Sequence, residues 1–152
     1  MKLEHLMDYH VDLKPPVAVG RGPLGTRTIF DVVGGYAEGP RLRGSFLASG
    51  ADWLLVDDGN VGRLDVRGTL ATDDGAHVYI HYHGVLELNE KVQNALMKGE
   101  ACDYGDSYFM TQPRFETGDE RYAWLNSVVA IGEGRALPSA VEYRVYQVTN
   151  DE

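Results

Sequence analysis

An all-β chain, folded as a closed or nearly closed antiparallel barrel with one short helix, is what this sequence predicts. Two Asp-Gly turns separate runs rich in Val, Leu, Tyr and Ile. Asp57-Asp58-Gly59-Asn60 lies between Asp52–Val56 and Val61–Thr72, and Asp73-Asp74-Gly75 lies between Val61–Thr72 and His77–Gly84. Glycine supplies the positive φ that tight reversals need, so the middle run has antiparallel neighbours on both sides. Eighteen glycines and nine tyrosines suit many short strands joined by tight turns, and suit a helical bundle poorly. The chain reads as nine or ten strands, and closure removes the edges that its long first and last strands would otherwise expose.

The first strand is Leu3–Leu13, where Leu3, His5, Met7, Tyr9, Val11 and Leu13 alternate with mostly charged residues. Pro15-Pro16 breaks it and Val17-Ala18-Val19 begins the next. Gly20-Arg21-Gly22-Pro23-Leu24-Gly25 has the spelling G-x-G-x-x-G, but β-branched, alternating residues follow where a dinucleotide site needs a helix. A glycine-rich turn between strands is the better reading. Gly34-Gly35 marks a bulge, Gly39-Pro40 a loop, and Arg41–Leu47 a strand before the two hairpins.

Asn89 caps the one good helix candidate, Glu90–Lys98, which Gly99 stops. Val92, Leu96 and Ala95 give it a narrow apolar stripe, so it must lie on the sheet. Ser107–Thr111 is strand-like and ends before Pro113. Arg121–Asn126 is a helical turn or a strand. Ser127–Ile131 and Ala140–Val148 form a closing pair across Gly132-Glu133-Gly134.

The 152 residues are read as a single domain, which buries about 68–70% of its unfolded surface and needs no staple. The single Cys102 has no internal partner and suits a reducing compartment; with no signal peptide or membrane-length apolar run, a cytoplasmic protein is expected. The formal charge of −9 repels a phosphate backbone, which disfavours nucleic acid. Acidic neighbours raise the Cys102 thiol and argue against a nucleophile there.

Chemistry has few carriers. Asp65 and Arg67 share one face of the middle strand, where Arg67 would grip a carboxylate or carbonyl oxygen if that face points inward, or form a surface ion pair if outward. His81-x-His83 puts two imidazoles on one face, about 6–7 Å apart along the strand. They would serve acid–base work, share a zinc with a third ligand from His5, His10, Asp65 or elsewhere, or be plain surface or pocket-lining polarity. No metal or other cofactor is expected, because that third ligand is not signposted. Trp53, Tyr79, Tyr82, Phe115, Tyr122 and Trp124 are core residues or the walls of a pocket.

Two segments carry a resemblance. Gly50-Ala51-Asp52-Trp53 with Leu64–Leu70 and Thr72–Ala76 is one, and Pro113–Asn126 is the other. Together, from about Gly34 to Tyr146, they resemble the DUF3237 family, also called UPF0311. The resemblance implies a compact β-barrel of lipocalin-like size that assembles as a homo-oligomer, and it carries over no catalytic residue. Asp52, Trp53, Asp65, Arg67, Asp74, Arg114, Glu116, Arg121, Tyr122 and Trp124 match the motif. Gly68, where relatives have an aromatic residue, and His77, His81 and His83 depart from it.

The leading expectation is an enzyme for a small, partly apolar or aromatic carbonyl compound, of isomerase, cyclase or lyase type. Asp65, His81 or His83 would be the base, Arg67 or Arg114 the anion partner, and Trp53, Tyr79, Tyr122 and Trp124 would hold the ligand. A non-catalytic carrier of such a ligand, or a structural oligomer in which Arg114 and Glu116 brace the Pro113–Asn126 loop, are the alternatives.

Overall fold

The computed structural model describes residues 1–151. Its strands are β1 (Lys2–Leu13), β2 (Val17–Gly22), β3 (Gly25–Glu38), β4 (Arg43–Phe46), β5 (Ala51–Val56), β6 (Val61–Thr72), β7 (His77–Glu87), β8 (Phe109–Glu116), β9 (Ala130–Leu137) and β10 (Ala140–Thr149). Helix α1 (Glu90–Lys98) and a 3₁₀ helix (Glu120–Ser127) complete the set. The sheet is antiparallel, and β1 pairs with both β10 and β3, which closes the barrel. Eight strand positions surround the axis. β4 and β5 share one of them between β3 and β6, and β2 continues along β3 beyond the Pro15-Pro16 break. No described helix is long and apolar enough to cross a membrane.

Both reversals form where expected, but in the first the positive φ falls on Asn60 (58°) and not on Gly59, while Gly75 (94°) carries it in the second; Gly20–Gly25 is the β2–β3 hairpin with no helix after it. The α1 caps also follow the sequence: the Asn89 side chain accepts from the Val92 N–H at 3.0 Å, and Gly99 takes the left-handed conformation at φ 66°. Leu96 and Gly99 of the α1 end line the hollow half of the barrel.

The closing pair differs from expectation. Gly132 and Gly134 lie inside β9, and the reversal falls at Pro138-Ser139, where Ser139 has φ 58°. A Cβ on Gly134 would stand 2.9 Å from the Phe109 ring, and one on Gly132 would stand 2.5 Å from Thr111 Oγ1. These glycines admit side chains from β8 and do not turn the chain. β8 in turn runs through Pro113, because its ladder to β9 covers only Met110 and Thr111 and leaves the proline a free side.

β1 is not an edge, and a bulge between His5 and Met7 breaks its alternation. Leu6 and Met7 are both buried, so Leu3 and His5 fall outside while Met7, Tyr9 and Val11 stay inside. On one half of the barrel the interior is solid: Met7, Leu70, Val78 and Val145 are all fully buried, with Leu125 of the 3₁₀ helix in the same cluster. Gly68 lies on this inner row, and Phe46 occupies the space beside it. Towards α1 the interior is hollow.

Candidate functional site: an apolar cavity with one carboxyl

The hollow half holds a cavity of about 400 Å³. Its walls are Val11 and Leu13 of β1, Phe30 of β3, Leu54 of β5, Leu64 and Val66 of β6, Leu86 of β7, Phe109 of β8 and Val141 of β10, with Leu88 and Leu96 at the α1 end. Tyr82 and Tyr143 face it from the border with the solid core, where their rings pack with Tyr9. The Tyr82 hydroxyl donates to the Tyr143 oxygen at 3.0 Å. Among the described residues nothing accepts the Tyr143 proton.

Asp52 is the one carboxylate in this wall. Phe30, Asp52, Val66 and Tyr82 form a cross-strand row on the inner face of β3, β5, β6 and β7. Burial pushes the Asp52 carboxyl up to about 7; the Asp65 N–H and the Arg27 charge pull the other way and lose, while the Asp65 charge adds to the rise. The local backbone is arranged around it. At Trp53-Leu54 the β5–β6 ladder is interrupted, so the Asp65 N–H donates to Asp52 Oδ1 at 3.3 Å and the Trp53 carbonyl accepts from Arg27 at 2.7 Å. A half-buried carboxyl titrating near neutrality in an apolar wall can accept or give a proton at a guest.

The residues singled out from the sequence lie elsewhere. Asp65 and Arg67 project from β6 on the face opposite Leu64 and Val66, and His81 and His83 flank the inward Tyr82 on β7, so all four stand on the outer wall. The Asp65 partner is not Arg67. Asp65 Oδ1 lies 2.9 Å from Nε2 of His81, its diagonal neighbour on β7, and 3.6 Å from Nε2 of His83, directly across the ladder. Arg114 is exposed on β8, facing His81 across the ladder. Trp53 and Tyr79 are also outside, each 37% exposed.

Tyr122 and Trp124 do not line the cavity either. The Tyr122 hydroxyl donates to Asp74 Oδ2 at 2.8 Å, and the Arg41 guanidinium lies 3.5 Å over the Trp124 ring. Arg121 joins the same brace through the Asp74 carbonyl and both Asp119 oxygens. The Pro113–Asn126 loop is thus held by Asp74, Asp119 and the Thr117–Asn126 pair, and not by Arg114 and Glu116.

Of the cavity's polar side chains, the sequence pointed to Tyr82 only as a core or pocket-wall aromatic and to Asp52 only as a motif residue, and Tyr143 was not singled out. The available signal was a carboxylate sharing a strand face with Leu54 and Val56, a lone charge in an apolar row. A second polar cluster lies outside, in a cleft where His10 bonds Glu142 and Asp12 at 2.8 Å each and stacks on Tyr36. Burial pulls the His10 imidazole down, but its bonds to Glu142 and Asp12 outweigh that and leave it raised.

The family profile described as "Protein of unknown function (DUF3237)" matches residues 1–148. A UPF0311 protein of Rhodopseudomonas palustris is 33% identical over 131 residues, 86% of each chain. A UPF0311 protein of Clostridium acetobutylicum is 26% identical over 150 residues, 98% of this chain and 95% of the relative. Among solved structures, a β-barrel-like protein of Acinetobacter baumannii is 36% identical with a TM-score of 0.84, covering 97% of this chain and 96% of the other. An enzyme of Penicillium herquei is 20% identical with a TM-score of 0.71, covering 97% and 94%, and shares the fold.

Proposed function

From a chain that belongs to the DUF3237 (UPF0311) family, we propose an enzyme that moves a proton on a small, partly apolar or aromatic carbonyl compound bound inside the barrel. One observation carries this reading: the Asp52 carboxyl, pushed up to about 7, in the wall of an apolar cavity of about 400 Å³. That volume suits a small organic molecule, and the lining is mostly apolar, with Lys14, Ser139, Tyr82 and Tyr143 as its other polar side chains.

The chemistry needs no co-reactant. Ionised Asp52 takes a proton from the carbon beside the carbonyl, and the electron pair moves onto the carbonyl oxygen. The Tyr143 hydroxyl, polarised by the donor Tyr82, stabilises that oxyanion. Protonated Asp52 then returns the proton at another carbon, which is isomerisation, or delivers it to a departing hydroxyl, which is elimination. A near-neutral carboxyl suits both halves, since it must be base and then acid. The base lies within the barrel in this reading, so Asp65, His81 and His83 take no part in the step.

The rival reading is a carrier that binds such a compound without turning it over. A mostly apolar wall favours it; a near-neutral carboxyl in that wall does not. A screen of small aromatic ketones and β-hydroxycarbonyl compounds, followed by deuterium exchange at the carbon beside the carbonyl, tests the two. Exchange that Asp52→Asn abolishes supports the enzyme. Saturable binding without exchange supports the carrier.

A further inference from the structure

We infer that the outer wall of β6 and β7 carries a binding site for a divalent cation of the zinc class, held by Asp65, His81 and His83. This site is separate from the cavity and does not depend on the reaction proposed for it. Asp65 faces His83 directly across the β6–β7 ladder, and His81 stands two residues further along the same face of β7. The barrel therefore supplies the third ligand that His81-x-His83 lacks in the sequence.

The distances fit a shared cation. One ligand atom from each of the three can be chosen so that all lie within 4.8 Å of one another. Asp65 Oδ1 is 2.9 Å from His81 Nε2 and 3.6 Å from His83 Nε2, and the two imidazole rings are 4.8 Å apart. Zinc bonds to imidazole and carboxylate run about 2.0–2.2 Å, which places neighbouring ligand atoms about 3–3.5 Å apart around a tetrahedral centre. The two distances to Asp65 bracket that value, so side-chain rotation is enough to close the site. β6 and β7 are paired without a break through all three residues, and β8 pairs with β7 on its far side, so the backbone positions are fixed.

The ligand types select the cation. Two imidazoles and one carboxylate suit zinc and its neighbours in the first transition row, and suit magnesium or calcium poorly. His83 is two-thirds exposed at its side chain, while His81 and Asp65 are more covered, so the outward side of the cation is open to water or to an exchangeable ligand. The flanking charge is positive. His81 has Arg67 across one ladder and Arg114 across the other, and neither guanidinium has an acidic partner among the described residues. These two arginines oppose the cation and favour an anion at its open position.

The test is a titration of tag-free, chelator-stripped full-length protein with Zn²⁺ by calorimetry, and with Co²⁺ followed by its visible absorption. One equivalent of saturable binding is expected, with magnesium giving none. His81→Ala, His83→Ala and Asp65→Asn should each weaken it by more than about tenfold, as losing a partner around a metal does. Their metal-free melting temperatures should stay near the parent value, because all three side chains point outward. His10→Ala, in the other histidine–carboxylate cluster, should bind as the parent does. No saturable uptake, uptake that survives the H81A/H83A pair, or uptake lost in H10A would each overturn the assignment.

Discussion

Asp52 and Asp65 meet through one hydrogen bond, the Asp65 N–H donating to Asp52 Oδ1 at 3.3 Å, yet their carboxylates stand on opposite sides of the barrel wall. The same backbone group thus anchors the inner carboxyl and carries the outer one. Inside, burial dominates and pushes Asp52 up to about 7. Outside, Asp65 has the imidazoles of His81 and His83 for neighbours.

The inner carboxyl makes stability fall with pH. Asp52 rises from 3.8 to about 7 on folding, so between those values the folded chain holds a proton that the unfolded chain has lost. Stability from this group is highest near pH 4, declines as pH rises to about 7, and is level above. Asp52→Asn removes the decline. Melting curves from pH 4 to 8 should show the variant gaining on the parent through that window, with a ceiling of ~4 kcal/mol by pH 8. Parallel curves would mean that Asp52 is not buried in the way described.

Arg67 lies outside and lacks an ion-pair partner among the described residues. Arg67→Met should therefore change stability by less than about 0.5 kcal/mol and leave binding in the cavity untouched. A chemical denaturation curve beside a ligand titration measures both. A loss of ligand affinity would place the anion partner outside the cavity after all.

Much of the fold was legible because its causes are local. Asn89 and Gly99 bound α1 by capping chemistry within one turn, and the two Asp-Gly reversals are decided by four residues each. What misled has causes distant in sequence. Gly132 and Gly134 look like a turn, but they are small because Thr111 and Phe109 press on them from β8. The His5/Met7 bulge turns half of β1 over, and nothing in its alternation announces that. The site was harder still. Asp65 and His81 stand out by chemistry and alternate cleanly, whereas Asp52 becomes special only when β3, β6, β7 and β10 bring apolar walls around it.

Gly134 offers a direct check on the packing that shapes the cavity. Gly134→Ala sets a methyl group 2.9 Å from the Phe109 ring, which lines the cavity. Overpacking of this kind costs about 1–3 kcal/mol, and the ring's escape route is towards the cavity. A lower melting temperature together with weaker ligand binding is expected. Unchanged melting would show that β8 and β9 yield freely at this point.

Tyr143 separates catalysis from carriage. Its hydroxyl accepts from Tyr82 at 3.0 Å and keeps its own proton for a guest, and both rings are held by Tyr9. Tyr143→Phe removes the donor and keeps the ring, so the cavity should hold its shape. If the hydroxyl stabilises an oxyanion, the bond strengthens as charge develops, and its loss should lower kcat by about 100- to 1000-fold with a much smaller change in KM. Tyr82→Phe leaves Tyr143 in place but removes its polarising donor, so it should lower kcat by less. Asp52→Asn should abolish turnover and the pH dependence with it, since kcat/KM of the parent should rise through an apparent pKa near 7. In a carrier the three variants would instead shift only the dissociation constant. A Tyr143→Phe protein with parental kcat and parental pH profile would remove the hydroxyl pair from the chemistry and leave Asp52 to act alone.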